Sequence, residues 1–233
     1  MNNSDPSLLS ESISLSDGFV MTVYVERPII VARATILLLS PIFGVDAIFV
    51  RTMREWSQAG YLAVAPDYFA RVFPGSLPHT DEGFREALRR VKKVDREQML
   101  MDLREVGTHF STAGALFIGG YCAGGEPSLK LALSGYGDGC AIFHAARLGL
   151  YADRLSAISR PLEIHFGGAD ALVPQQEVDR VTHGAIGNAN IHIKVHPGAD
   201  HGFTQQGGRN FHPEAAAASF AVARARLDAA ITA

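Results

Sequence analysis

Residues 115–125 read Ala115-Leu116-Phe117-Ile118-Gly119-Gly120-Tyr121-Cys122-Ala123-Gly124-Gly125. The apolar run 115–119 predicts a strand buried on both faces, and residues 123–134 predict a helix. Between them, Gly120-Tyr121-Cys122-Ala123-Gly124 fits the strand–turn–helix elbow that presents a nucleophile above a parallel sheet. Gly120 and Gly124 are expected where neighbouring backbone passes too close for a Cβ. The helix N-terminus behind the turn favours a thiolate, and the N–H of Ala123 points to where an oxyanion would form. The plainer alternative for Cys122 is a buried structural thiol, but the flanking glycines speak against it. Cys140 lies in an apolar strand without such a setting and reads as structural.

The same alternation extends outward in both directions. Strands are expected at 19–25, 34–40, 61–65, 140–145, 161–166 and 190–196, and helices at 47–59, 81–94, 95–110, 174–185 and 213–231. Strands alternating with helices predict βαβ units, so the fold class is α/β: a mostly parallel open sheet with helices on both faces. No repeat, low-complexity segment or linker interrupts the pattern, and residues 1–233 read as a single α/β domain.

Composition narrows the class. The 233 residues are 47% hydrophobic and 19% charged, with a net charge of -3. Nothing in that balance calls for nucleic acid or a membrane as partner. Two cysteines make neither a disulfide framework nor a structural zinc site. Residues 1–10 lack a signal-peptide pattern, and a cytoplasmic location is the expectation.

A thiol nucleophile needs a base, and in this fold the chain order is nucleophile, acid, histidine. Asp170 follows strand 161–166 through Gly167-Gly168-Ala169, and His201 follows strand 190–196 through Gly198-Ala199-Asp200. Both stand at carboxyl ends of parallel strands, where such sheets place their sites. Asp170 would orient the His201 ring. Singly, Asp170 also reads as a turn cap and His201 as a surface loop residue. Asp200 is a weaker acid candidate, being adjacent to His201 in sequence. His192 and His196, four residues apart, suggest a solvated strand face rather than a metal site.

These residues resemble the dienelactone hydrolase family of α/β-hydrolases, whose carboxymethylenebutenolidase-like members cleave lactones. The resemblance is carried by Ile42-Phe43-Gly44-Val45, Gly60-Tyr61, Ala65-Pro66-Asp67-Tyr68-Phe69-Ala70-Arg71, the elbow around Cys122, Gly167-Gly168-Ala169-Asp170 with Val173-Pro174, and His201-Gly202-Phe203. It implies the triad Cys122, Asp170 and His201, an oxyanion hole from the N–H groups of Ile42 and Ala123, and neither metal nor organic cofactor. It also implies an ester or lactone bond of a small molecule as target, cleaved through a thioester.

Two departures stand out. Where the family carries a thiol-activating glutamate before Ile-Phe-Gly, this chain has Pro41. A standing Cys122–His201 ion pair, or help from Glu126 or His144, would replace it. His144 stands where the family often has a tyrosine; it reads as a substrate-binding candidate or as a satisfied rim histidine. Of the two arginines that clamp the substrate carboxylate in the family, Arg85 matches one, while the second position is Gln205. Arg89, one turn beyond Arg85, offers a replacement cation, unless both arginines are only solvated helix charges. Neutral esters, thioesters or phosphoesters are therefore alternative substrates, and a binding or sensing protein that lost thiol activation is the non-catalytic alternative. A monomer or weak homodimer is expected.

Overall fold

The periodicities become sixteen elements, including two 3₁₀ segments, in a computed structural model that describes residues 9–111 and 114–231. Most of the N-terminal segment 1–10 lies outside the described residues. The chain divides into two units, Met1–Leu116 and Phe117–Ala233.

The first unit holds β1 (Ser10–Ser14), β2 (Val20–Glu26), β3 (Ala34–Leu39), α1 (Ala47–Gln58), β4 (Tyr61–Pro66), α2 (Asp81–Lys93) and α3 (Arg96–Phe110). Its strands run in the order β1-β2-β4-β3. The β1–β2 and β2–β4 pairs are antiparallel and β3–β4 is parallel. All six residues of β3 are buried, which is why it reads as an unbroken apolar run. β1 escapes the sequence reading because Ser-Glu-Ser-Ile-Ser buries only Ile13; its pairing with β2 makes it a strand. Helix starts follow side-chain caps: Asp46 accepts from the N–H of Ile48 and Phe49, Thr80 from Gly83, and Asp95 from Glu97 and Gln98.

The second unit begins one residue into β5 (Leu116–Tyr121). It continues with a 3₁₀ turn (Cys122–Gly124), α4 (Gly125–Leu133), β6 (Gly139–Phe143), a second 3₁₀ segment (Leu148–Ala157), β7 (Leu162–Gly167), α5 (Gln175–Gly184), β8 (Ile191–His196) and α6 (Pro213–Ile231). Its strands run β5-β6-β7-β8, all parallel. Their carboxyl ends therefore share one edge, where Cys122, His144, Asp170 and His201 follow β5, β6, β7 and β8.

Two expectations need correction here. The helix expected from residue 123 starts at Gly125, after the 3₁₀ turn. Pro127 consequently falls in the first helical turn, whose N–H groups lack intrahelical acceptors anyway, and it costs no hydrogen bond. The solvated face of His192 and His196 is also wrong for His196. That ring is buried, with Nε2 3.1 Å from Nδ1 of the fully buried His165, while His192 Nδ1 lies 2.7 Å from the buried carboxylate of Glu163. Glu163 also pairs with Arg226 of α6. An imidazole on one side and a guanidinium on the other let a carboxylate sit inside a strand that is otherwise core.

Candidate active site

Steric necessity fixes the turn that carries Cys122. A Cβ on Gly120 would lie 2.4 Å from Ser128 Oγ and 2.7 Å from the Gly124 carbonyl oxygen. A Cβ on Gly125 would lie 2.2 Å from the Cβ of Ala145. Gly120 thus meets the sequence expectation, and Gly125 carries a crowding the sequence did not reveal. The Gly124 carbonyl accepts a 2.7 Å bond from Ser128 Oγ. Cys122 itself has φ +52°, in the left-handed region that side chains with a Cβ seldom occupy, and it remains partly exposed. The strain lifts the thiol off the strand end; Cys140, by contrast, is buried in β6, where desolvation pushes its thiol far up.

Glycines also bring the acid and the histidine loops together. A Cβ on Gly167 would lie 2.5 Å from the Ala199 carbonyl oxygen, which accepts from the N–H of Ala169 at 2.9 Å. With that approach, Asp170 Oδ2 lies 2.8 Å from His201 Nδ1, and Asp170 Oδ1 accepts from the Leu172 N–H. His201 Nε2 lies 3.0 Å from Cys122 Sγ. The three residues that sequence order singled out, 79 and 31 positions apart, are therefore joined through one imidazole. Asp200 is bound differently: its carboxylate accepts from the backbone N–H of His201 at 2.6 Å, as a turn cap. Asn210 Nδ2 donates to the His201 carbonyl at 2.9 Å.

Burial of the His201 ring opposes its protonation, but the bond to Asp170 and the sulfur of Cys122 overcome it and push the ring up to about 10. The environment of the His201 ring thus favours the imidazolium. Asp170, whose side chain is fully enclosed, supplies the compensating charge.

The remaining candidates are placed as follows. His144 is fully buried, with its Nε2 2.8 Å from Thr204 Oγ1, so its ring offers no surface to a substrate. Gln205 is half-buried in the turn after His201 and donates its N–H to the Gly202 carbonyl. Glu126 is buried on α4, bonded to Arg147 Nε at 2.9 Å and Tyr151 Oη at 2.7 Å. Ala123 follows Cys122 in the 3₁₀ turn and is partly exposed.

Ile42, in the first unit, gives its carbonyl to Arg90 Nη2 at 2.6 Å. Arg85 is exposed on α2, and Arg89, also exposed, forms a 3.0 Å pair with the partly exposed Glu86 on the same helix. Such a pair contributes little to stability. Arg147 and Tyr151 were not legible in the sequence, because the irregular segment that carries them has no period. Among the described residues, no group of three or more His, Cys, Asp or Glu side chains is arranged to hold a metal ion, and no helix is long and apolar enough to cross a membrane.

Comparison with known proteins adds the context. The model of the dienelactone hydrolase family matches residues 21–227. A carboxymethylenebutenolidase of Pseudomonas putida is 29% identical over 219 residues, covering 90% of this chain and 92% of that protein. Another carboxymethylenebutenolidase, from Pseudomonas sp. strain P51, is 23% identical and covers 89% of this chain and 90% of its own length. Among solved structures, a Klebsiella pneumoniae protein with a provisional dienelactone hydrolase designation superposes with a TM-score of 0.81 at 26% identity, covering 95% of this chain and 99% of that one. The chain belongs to the dienelactone hydrolase family and is a carboxylic ester hydrolase on the α/β-hydrolase fold.

Proposed function

We propose that this hydrolase cleaves an ester or lactone of a small molecule by covalent catalysis through Cys122. The observation that carries this reading is the single imidazole spanning Cys122 Sγ at 3.0 Å and Asp170 Oδ2 at 2.8 Å. The Cys122 thiolate attacks the carbonyl carbon, and the charge moves to the carbonyl oxygen, toward the N–H of Ala123. One such donor is worth about 3 kcal/mol in the barrier. As the tetrahedral adduct collapses, the C–O bond breaks and His201 gives its Nε2 proton to the departing alkoxide. The neutral ring then takes a proton from water, which attacks the thioester and releases the carboxylic acid and the thiolate.

The imidazolium held by Asp170 supports a resting ion pair with the sulfur, which would serve in place of the family glutamate replaced by Pro41. The relatives named carboxymethylenebutenolidase support a lactone as substrate. A second reading, toward neutral esters, rests on Gln205 at the position of the second clamping arginine and on the engagement of Arg89 with Glu86.

The decisive experiment is turnover of a p-nitrophenyl ester and of a lactone by Cys122→Ala, with mass spectrometry of the acid-quenched native enzyme. Loss of at least about a thousandfold in rate, and an acyl adduct on Cys122, are expected. Parental activity in Cys122→Ala would refute the nucleophile. Comparing acidic with neutral esters then separates the two substrate classes.

A further inference from the structure

Among the described residues, three without glycine's freedom take a positive φ: Cys122 at +52°, His144 at +42° and Arg147 at +70°. The first is the elbow. Arg147 lies in the same post-β6 loop as His144. His144 sits at the carboxyl end of β6, with its backbone N–H bound to the His165 carbonyl of β7 at 2.7 Å. Its backbone is thus tied to the sheet core while its ring is turned, at a cost in strain, toward the histidine loop.

The ring is fully buried, and of its two nitrogens only Nε2 has a hydrogen-bond partner, Thr204 Oγ1 at 2.8 Å. The threonine hydroxyl can serve either tautomer, as donor or acceptor. The groups around the ring are the His201 ring at 5.3 Å, nearly perpendicular, Phe203 at 5.5 Å, also nearly perpendicular, and Tyr121 at 6.1 Å. No carboxylate or arginine is among these contacts. Burial and the charge on His201 both keep His144 neutral.

Thr204 stands three residues after His201, in a turn that Gly202 permits with φ +83°. Asp200 and Asn210 hold the backbone of His201 from the other side. The turn is therefore gripped at both ends, and the grip on the Thr204 end comes from His144 alone among the side-chain bonds to Thr204 that are described.

We propose that His144 is a positioning residue: a neutral, strained histidine anchored in the sheet that clamps the Thr204 end of the turn and fixes where His201 Nε2 meets the sulfur. This rests on the nucleophilic reading of Cys122. A buried polar ring left half-satisfied, on a backbone that resists its own conformation, is costly for mere filling of the core; a leucine or phenylalanine fills space at less expense. The clamp explains the choice. Sub-ångström placement of a proton donor decides rate far more than it decides substrate affinity.

The test uses the full chain with a lactone and an alkyl ester. His144→Phe keeps the ring volume and removes the bond to Thr204. Thr204→Val removes the same bond from the other partner, and Thr204→Ser restores it. The expectation is a fall in kcat of about tenfold for His144→Phe and for Thr204→Val, with KM changed less than about threefold, parental kcat in Thr204→Ser, and a double variant no slower than the worse single one.

Should His144→Phe fail to fold, the Thr204→Val and Thr204→Ser pair carries the test. A kcat within about twofold of the parent in folded Thr204→Val, a loss confined to KM, or losses that multiply in the double variant would overturn the clamp. Cys122→Ala is run alongside. If it is inactive while the His144 and Thr204 variants match the parent, the clamp fails and the nucleophile stands. If it keeps parental activity, the nucleophilic reading fails first.

Discussion

Replacing Asp170 by asparagine tests the charge logic of the site at its strongest point. The carboxylate is enclosed, 2.8 Å from His201 Nδ1, and its second oxygen accepts from the Leu172 N–H. The asparagine side chain keeps the volume and an oxygen for Leu172, so the loop should fold. What it loses is the charge. Raising the ring from 6.5 to about 10 corresponds to about 5 kcal/mol in favour of imidazolium. That figure is already net of burial, which works in the other direction, and it is shared between Asp170 and Cys122.

If the carboxylate carries half, its loss removes about 2–3 kcal/mol of the imidazolium's stabilisation, roughly 30- to 150-fold in its protonation equilibrium. An asparagine NH₂ directed at Nδ1 would also select the tautomer that points its N–H at sulfur without a charge behind it, which in related serine systems brings the loss to about 10,000-fold. The expected result is a fall of roughly 100- to 10,000-fold in kcat/KM for a lactone, read by stopped spectrophotometric assay, with melting within a few degrees of the parent. A folded Asp170→Asn enzyme that loses less than about tenfold would refute the role assigned to this carboxylate.

Other perturbations reach separate parts of the structure. Gly120→Ala places a methyl group 2.4 Å from Ser128 Oγ and 2.7 Å from a backbone oxygen, so it should cost about 2–4 kcal/mol in urea unfolding; an unchanged midpoint would contradict the crowding at the elbow. Arg226→Ala strips the cationic partner from buried Glu163. Since that arginine is about one-third exposed, a loss of about 2 kcal/mol at pH 8 is expected. Burial already raises the Glu163 carboxyl, so protonation is the route by which the variant recovers: the deficit should shrink as pH falls toward about 4, and a deficit constant from pH 8 to 4 would contradict the assignment.

The elements that sequence located well are those whose signal is local. β3 and β5 are buried on both faces and read as unbroken apolar runs, and α2 and α3 begin at Thr80 and Asp95, whose side chains cap them. The positions of Asp170 and His201 were legible because a parallel sheet forces every loop after a strand to the same edge. What was not legible depends on partners distant in sequence. β1 is a strand because β2 pairs with it; His196 is buried against His165 and Phe203; Gly125 is needed because Ala145 passes 2.2 Å, and Ile142 2.9 Å, from where its Cβ would be. His144 combines both cases. Its place after β6 is local information, while its ring contacts with His201, Phe203 and Thr204 come from residues 57 or more positions away along the sequence and no periodicity announces them.

Pro41 raises the question of how the proposed Cys122 nucleophile is activated without the family glutamate, and pH offers a way to ask it. A ring held at about 10 rather than 6.5 stays protonated across the neutral range. The sign follows directly: its charge-dependent stabilisation is complete below pH 6.5 and is lost as pH rises through about 10. Acylation by an alkyl ester or lactone needs that proton, because an alkoxide leaves poorly without it. Acylation by a p-nitrophenyl ester does not, since nitrophenolate leaves unaided. For the lactone, kcat/KM should therefore hold level through about pH 8 and fall as pH approaches about 10, while the p-nitrophenyl ester shows no matching decline. If instead the lactone profile already fell near pH 6.5, the ring would be titrating as an ordinary imidazole, and an ion pair poised before substrate arrives could not be what takes the place of the glutamate.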